Sequence, residues 1–111
     1  MKRVELNQSR LQRIEGRILE LRAERESLVA QKTYSESTLR QMTERAENGE
    51  PAMSALELDQ LKSRLETENS VIDSKIEAID DELAILENEA TQQRREVEAW
   101  QAYVDRRLGE L

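Results

Sequence analysis

Apolar residues in the first part of the chain recur at a heptad spacing. Positions that repeat every seven residues from Val4, together with those three residues later, form one stripe over about six heptads. A repeat of 3.5 residues keeps such a stripe turned toward a neighbouring helix, so the pattern predicts one helix of a left-handed coiled coil. This first seam comprises Val4, Asn7, Leu11, Ile14, Ile18, Leu21, Arg25, Leu28, Lys32, Ser35, Leu39, Met42 and Ala46.

The second part of the chain has a seam of its own. It repeats every seven residues from Leu58 and includes the positions four residues after each of these. The register never slips, and the pattern therefore predicts a second coiled-coil helix. The second seam comprises Leu58, Lys62, Leu65, Asn69, Ile72, Ile76, Ile79, Leu83, Leu86, Ala90, Gln93, Val97, Trp100, Val104, Arg107 and Leu111.

The segment between the seams carries signals for a helix end, a turn and a new helix start, in that order. Asn48 and Gly49 favour a helix C-terminus, and Pro51 cannot continue a helix. Ser54, followed three residues later by Glu57, predicts a capping box for a new helix. A kink in one continuous helix is the alternative, but it requires neither a terminal glycine nor a fresh N-cap. The segment therefore predicts that the chain reverses direction.

These signals predict an all-α fold in which two long helices form an antiparallel coiled-coil hairpin. The hairpin occupies residues 1–111 as a single domain, with a helix at 2–47, a turn at 48–54 and a helix at 55–109. In an antiparallel pair, facing seam residues have numbers that add up to a nearly constant value. A value of 104 fits throughout and centres the turn beside Pro51.

Polar residues within the seams have structural explanations. Ser35 and Asn69 face each other in this register, and a seam Asn with a partner penalises slipped alignments; a hydrated defect is the alternative. Arg25, Lys32 and Lys62 can cover the seam with their aliphatic stems while their charged groups reach its edge. We therefore interpret these side chains as parts of the coiled coil and not as ligands.

Composition narrows the range of chemical functions. The chain contains no His and no Cys, which excludes imidazole catalysis, thiol chemistry and the common zinc sites. Asp80, Asp81 and Glu82 are consecutive, but consecutive helical residues point in different directions, so a solvated face is the simpler interpretation. We predict a protein that is not an enzyme, with no catalytic residue, no cofactor and no metal site.

Charge is distributed unevenly along the chain. Residues 1–46 carry ten Lys and Arg against seven Asp and Glu, whereas residues 47–111 carry seven against seventeen. This complementarity favours pairing of the two parts with each other, and the net charge of -7 argues against nucleic-acid binding. No apolar run approaches the roughly 20 residues of a membrane span. We expect a cytoplasmic protein without membrane insertion.

Two groups of residues are candidate partner-binding sites. A second apolar stripe repeats with heptad spacing outside the seam, interrupted by Gln92, and suggests that a further helix docks there, from a second copy or another protein. Trp100 either covers the seam above Val4 or anchors a partner together with Tyr103. The second stripe comprises Val71, Ala78, Ile85 and Ala99.

Part of the second helix resembles a known family. The stretches MSALELDQLKSRLETENSVIDSKIEAIDDELAILE and EVEAWQAYVDRR place acidic residues before Trp100 and then Arg106 and Arg107. Over residues 53–107 this is similar to the second half of the FliJ and InvI/YscO family, the central stalk proteins of flagellar and type III secretion export. Members of that family form antiparallel helical hairpins.

The resemblance implies a role in protein export. The end of the hairpin that holds both termini would enter the central channel of a hexameric export ATPase, while the turn would face the membrane export gate. The same arginines could instead balance nearby glutamates at helical spacing. A self-associating structural coiled coil is the alternative function. A prefoldin-like chaperone is disfavoured, because it needs strand hairpins between its two long helices and SALELDQL is not strand-like. The implied ATPase contacts are Lys2, Arg3, Arg10, Trp100, Tyr103, Arg106 and Arg107.

Overall fold

Two long helices make up the structure. The computed structural model describes residues 2–49 and 54–110, with the side chains of these residues apart from 2–5 and 7. Helix α1 spans Lys2–Glu47 and helix α2 spans Ala55–Gly109. The described residues contain no β-strand, and the two helices pack against each other as an antiparallel hairpin. The predicted fold class is confirmed.

Contacts between the helices divide the chain into two compact units. The terminal unit consists of Met1–Ala23 and Asp80–Leu111, and the turn unit consists of Glu24–Ile79. Each unit therefore contains a segment of α1 packed against a segment of α2.

Local backbone and side-chain contacts end α1 and start α2. Gly49 has a φ of 76°, in the left-handed region where a glycine ends a helix without steric cost. The N–H of Asn48 still donates to the carbonyl oxygen of Glu44, at 2.9 Å. At the start of α2, Ser54 Oγ accepts a hydrogen bond from the N–H of Glu57 at 3.2 Å, as expected for an N-cap. Pro51 lies outside the described residues.

The core of the terminal unit is formed by seam residues. Leu21 and Ala90 are each 1% exposed, so these two side chains are almost completely removed from water. Ile14, Ile18 and Leu83 are also buried. All five belong to the predicted seams, and their burial supplies the main apolar stabilisation of this unit.

The turn unit has a thinner core of the same kind. Leu28, Leu65 and Ile79 are buried, and the seam residues between them are half-buried. Among the seam residues whose side chains the structure describes, three are instead exposed: Ala46 and Lys62 in this unit and Arg107 in the terminal unit. Ala46 is the second-last residue of α1, where less of the partner helix covers it.

Two ion pairs across the hairpin report its register in the terminal unit. Arg22 Nη2 lies 2.7 Å from Glu87 Oε1, and Arg94 Nη2 lies 3.1 Å from Glu15 Oε1. In both pairs the residue numbers add up to 109. This is the value expected for positions that flank one side of the seams in the predicted register.

A third ion pair reports the other side of the same unit. Arg17 Nε lies 3.3 Å from Glu82 Oε1, and these residue numbers add up to 99. The values 99 and 109 are placed symmetrically about 104, so the predicted register is confirmed in the terminal unit. Arg17 donates hydrogen bonds to Glu20, which has the larger effect, and to Glu82. These bonds raise the pKa of Arg17 above its ordinary value, which keeps it charged.

Lys32 shows in the turn unit how a charged residue is placed in a seam. Its side chain is 33% exposed, and its Nζ lies 2.7 Å from Asp73 Oδ1. The hydrogen bond to Asp73 raises the pKa of Lys32 above its ordinary value. The aliphatic stem thus covers the seam while the ammonium group reaches its edge, as predicted.

Arg25 is half-buried in the turn unit, whereas two other polar predictions for this unit are corrected by the structure. Asn69 Oδ1 is buried but accepts no hydrogen bond from any described residue, so Ser35 does not satisfy it as predicted. Lys62 is exposed, and the neighbouring Leu61 is half-buried in its place. An apolar side chain one position away covers the seam at a lower desolvation cost than a lysine stem does.

Candidate protein-interaction surfaces

An aromatic and arginine cluster lies near the end of α2, in the terminal unit. The rings of Trp100 and Tyr103 stack with their centroids 5.5 Å apart and their planes inclined by 28°. The guanidinium carbon of Arg107 lies 5.7 Å from the centroid of the Tyr103 ring, within cation–π range. Spacings of three and four residues bring these side chains onto one side of the helix. We call them the aromatic cluster.

The aromatic cluster combines a covered ring with an open one. Trp100 is half-buried, and its Nε1 is buried without a hydrogen-bond acceptor among the described residues. Tyr103 is 45% exposed. Arg107 also contacts Glu110, but at 3.8 Å between nitrogen and oxygen this is a loose and exposed ion pair. The side chain of Val4, which the sequence places opposite Trp100, lies outside the described residues.

The structure describes the side chains of only some of the predicted basic contacts. Arg10 and Arg106 are exposed, whereas the side chains of Lys2 and Arg3 lie outside the described residues. Arg10 lies one heptad before Arg17, so the register places it opposite Glu89 on α2. The register therefore places Arg10 where it can pair with Glu89 within the hairpin, and its side chain is also exposed.

The second apolar stripe is exposed in both units. In the turn unit Val71 is 51% exposed and Ala78 is exposed, and in the terminal unit Ile85 is 61% exposed and Ala99 is exposed. These residues therefore add nothing to the seam. Their apolar surface is open to solvent at the positions that the heptad spacing predicted.

An open groove in the terminal unit lies between two of the ion pairs across the hairpin. The pairs Glu15–Arg94 and Arg22–Glu87 close its two ends, and the groove has a volume of about 490 Å³. Seven residues separate the two pairs along each helix, or roughly 10 Å at 1.5 Å per residue. We call this feature the ion-pair groove.

The floor of the ion-pair groove is apolar. Ile18 and Ala90 line it and are buried, whereas Leu19 stands at its α1 side with 66% of its surface exposed. Thr91 lines the α2 side. The small side chain of Ala90 in an otherwise larger seam leaves the space above the floor.

Sequence reasoning missed the ion-pair groove, although its signals are present. Glu15 and Arg94 flank the seams at numbers that add up to 109, and so do Arg22 and Glu87. Ala90 is a small residue in a seam that otherwise contains mostly larger side chains. Applying the register to the flanking positions would have placed both ion pairs around Ala90.

The described residues contain no candidate metal site. They include no group of three or more acidic side chains placed to hold a metal ion, and Asp80, Asp81 and Glu82 form no such group. Across residues 2–49 and 54–110, neither helix has a stretch that is long and apolar enough to cross a membrane.

Comparison with known proteins gives this chain no relatives: no family model, no curated protein and no solved structure matches it.

Proposed function

We propose that this protein is a non-enzymatic coiled-coil adaptor that binds a protein partner through the aromatic cluster at the end of α2. The observation that carries the proposal is the stack of the exposed Tyr103 ring on the half-buried Trp100 ring, with Arg107 against the Tyr103 ring. Trp, Tyr and Arg are the residue types that contribute most binding energy in protein interfaces. A helix that already stacks them loses little side-chain entropy when a partner covers them.

The lack of reactive groups supports the non-enzymatic part of the proposal. The whole sequence has no His and no Cys. The buried apolar residues of the hairpin lie in a narrow seam, and the grooves beside that seam are open to water. Such surfaces suit protein binding better than chemistry that requires water to be excluded.

The narrower form of the proposal is a stalk of a flagellar or type III secretion export apparatus. On this proposal the protein links a hexameric export ATPase to the export gate. The resemblance of residues 53–107 to the FliJ and InvI/YscO family supports this form. Arg10, Arg106 and Arg107 are exposed and positively charged, so they suit an acidic partner surface.

The test is to mix the purified protein with a candidate export ATPase and measure both binding and ATP turnover. We expect binding and faster turnover with the native chain. Tyr103→Ala should weaken binding by about tenfold or more. Tyr34→Ala is the matched control, because Tyr34 is 75% exposed on α1 in the turn unit and should leave binding unchanged.

The outcomes separate the two forms of the proposal. No binding and no stimulation would remove the export-stalk form. Equal weakening by Tyr103→Ala and Tyr34→Ala would remove the aromatic cluster as the binding site. Capture of a different protein that depends on Tyr103 would support the adaptor and discard the ATPase.

A second candidate function is a self-associating scaffold that uses the second apolar stripe. The observation that favours it is the exposure of Val71 and Ile85 on α2. Sedimentation equilibrium of the native chain and of the variant Ile85→Glu tests it. Association that Ile85→Glu abolishes would support the scaffold, and association that it leaves unchanged would remove the stripe as the contact.

A further inference from the structure

We propose that the ion-pair groove binds the same groove of a second copy of this chain, with the two copies related by an antiparallel two-fold axis. The axis would cross α1 at right angles near Leu19 and cross α2 near Ala90. This proposal is independent of the export-stalk proposal, because the aromatic cluster does not line the groove.

The charges around the ion-pair groove are self-complementary. Glu15 and Arg22 follow each other along α1, while Arg94 and Glu87 lie across from them on α2, so the sign alternates from each corner to the next. A two-fold axis across the middle of the groove exchanges its two ends. Glu15 of one copy then faces Arg22 of the other.

The two-fold rotation also brings the charged residues of α2 against α2 of the second copy. Glu87 of one copy faces Arg94 of the other, so all four corners meet a charge of opposite sign. A two-fold interface requires such a match of a surface with itself. The four side chains are each about half exposed in the single hairpin, with 44% to 58% of their surface open. They can therefore add contacts to a second copy while they keep their own partners.

The apolar residues of the groove lie where the axis would pass. The midpoint between Glu15 and Arg22 falls beside Leu19, and the midpoint between Glu87 and Arg94 falls beside Ala90. Leu19 is 66% exposed, and in this arrangement it packs against Leu19 of the second copy. The small Ala90 and Thr91 allow the two α2 helices to approach closely.

The groove distinguishes the antiparallel arrangement from a parallel one. A parallel pairing, with the axis along the helices, also matches the charges, but it places Leu19 against the hydroxyl-bearing Thr91 of the other copy. The antiparallel pairing places Leu19 against Leu19 and so buries two exposed apolar side chains together. The result would be a local four-helix arrangement with an apolar centre and charged edges.

The first experiment uses the absence of cysteine from the chain. A single substitution Leu19→Cys introduces one thiol, and a short thiol cross-linker is then applied to the folded protein. We expect covalent dimers from Leu19→Cys, because the two-fold axis brings the two thiols together. The control Leu56→Cys, on a leucine that is 67% exposed and lies outside both the groove and the second apolar stripe, should give few dimers.

Two cross-linking outcomes would overturn the proposal. One is equal dimer formation by Leu19→Cys and Leu56→Cys. The other is that Leu19→Cys links to Thr91→Cys in a mixture of the two variants but does not link to itself, which would show the parallel arrangement.

The second experiment measures the dissociation constant by sedimentation equilibrium. Leu19→Glu should raise the dimer dissociation constant by about tenfold or more, and the control Leu56→Glu adds the same charge at a leucine of similar exposure elsewhere and should leave it within about twofold. Circular dichroism checks that both variants stay helical. A native chain that remains monomeric at all concentrations would overturn the proposal, and so would dissociation by Leu56→Glu but not by Leu19→Glu.

Discussion

At the scale of single residues, Leu19 and Leu21 show how the seam divides α1 into two environments. The two leucines are two positions apart, yet Leu21 is 1% exposed and Leu19 is 66% exposed. A helix turns by about 100° per residue, so two steps carry a side chain from the seam to the outside. The same residue type therefore has a structural role at one position and is available for binding at the other.

Replacing these two leucines should have very different effects on stability. Leu21→Ala removes buried methyl groups and leaves a cavity, so we expect the free energy of unfolding to fall by about 2 to 5 kcal/mol. Leu19→Ala should change it by less than about 0.5 kcal/mol in the monomer. Urea denaturation at low protein concentration measures both values. Equal losses would contradict the assignment of Leu21 to the core.

Asn69 shows that the seam also contains a costly residue. Its Oδ1 is buried and accepts no hydrogen bond from the described residues. A buried polar atom without a partner costs about 1 to 3 kcal/mol. We therefore expect this unpaired oxygen to lower the stability of the turn unit.

Removing this polar group should stabilise the protein. We expect Asn69→Leu to raise the free energy of unfolding by about 1 to 2 kcal/mol, as the unpaired oxygen is replaced by an apolar side chain. Asn88→Leu is the control, because Asn88 is exposed on the same helix and reports only the change in helix propensity. Equal gains in stability by both variants in urea denaturation would show that the unpaired oxygen of Asn69 is not the source of the gain.

At the scale of helices, glycines act differently at the end of α1 and in its interior. Gly49 adopts a φ of 76°, which residues with a Cβ adopt at a cost. Gly16 lies within the helix, and a Cβ added there would meet no atom within 4 Å. The first glycine is required by the backbone, whereas the second only weakens the helix.

The same substitution should therefore have opposite signs at these two glycines. Gly49→Ala should lower the free energy of unfolding by about 1 to 2 kcal/mol because of the strained backbone. Gly16→Ala should raise it by about 0.5 to 1 kcal/mol through higher helix propensity. Thermal unfolding of both variants measures the effect. Stabilisation by Gly49→Ala would show that α1 does not end at this glycine.

The helices and their ends are the features that local sequence signals can predict. Heptad spacing places Ile14, Leu21 and Leu83 in the core, because the periodicity of an α-helix depends only on neighbouring residues. Gly49 and Ser54 mark their helix ends for the same reason, since each acts on its own backbone neighbourhood.

Features that depend on the partner helix were harder to predict. The exposure of Lys62 and the half-burial of Leu61 depend on how the facing side chains pack, which periodicity does not specify. Whether Asn69 finds a hydrogen-bond partner depends on the distance between the two helices, and the local sequence carries no signal for that distance. The ion-pair groove requires the register, the flanking charges and the small Ala90 to be considered together.

At the scale of the whole molecule, charge and seam favour the same pairing of α1 with α2. The described ion pairs between the helices mostly join a basic residue of α1 to an acidic residue of α2, as in Arg17–Glu82 and Lys32–Asp73. Only Glu15–Arg94 among those described has the reverse polarity. The uneven distribution of charge thus mostly places basic residues of α1 beside acidic residues of α2. Pairing of two acidic α2 helices along their full length is disfavoured.

The chain doubles back on itself, and the distance between spin labels at residues 10 and 94 of one molecule distinguishes this hairpin from a single uninterrupted helix. The chain has no native cysteine, so Arg10→Cys and Arg94→Cys provide two unique attachment sites in the terminal unit. Excess unlabelled chain is added so that only distances within one molecule are observed.

The hairpin places these two residues on facing helices whose axes are about 8 to 10 Å apart, so the labels should lie within roughly 25 Å of each other. One uninterrupted helix would separate them by roughly 125 Å at 1.5 Å per residue. A short distance that persists on dilution is the predicted result. A separation of many tens of Å, or a short distance that disappears when unlabelled chain is added, would contradict the hairpin.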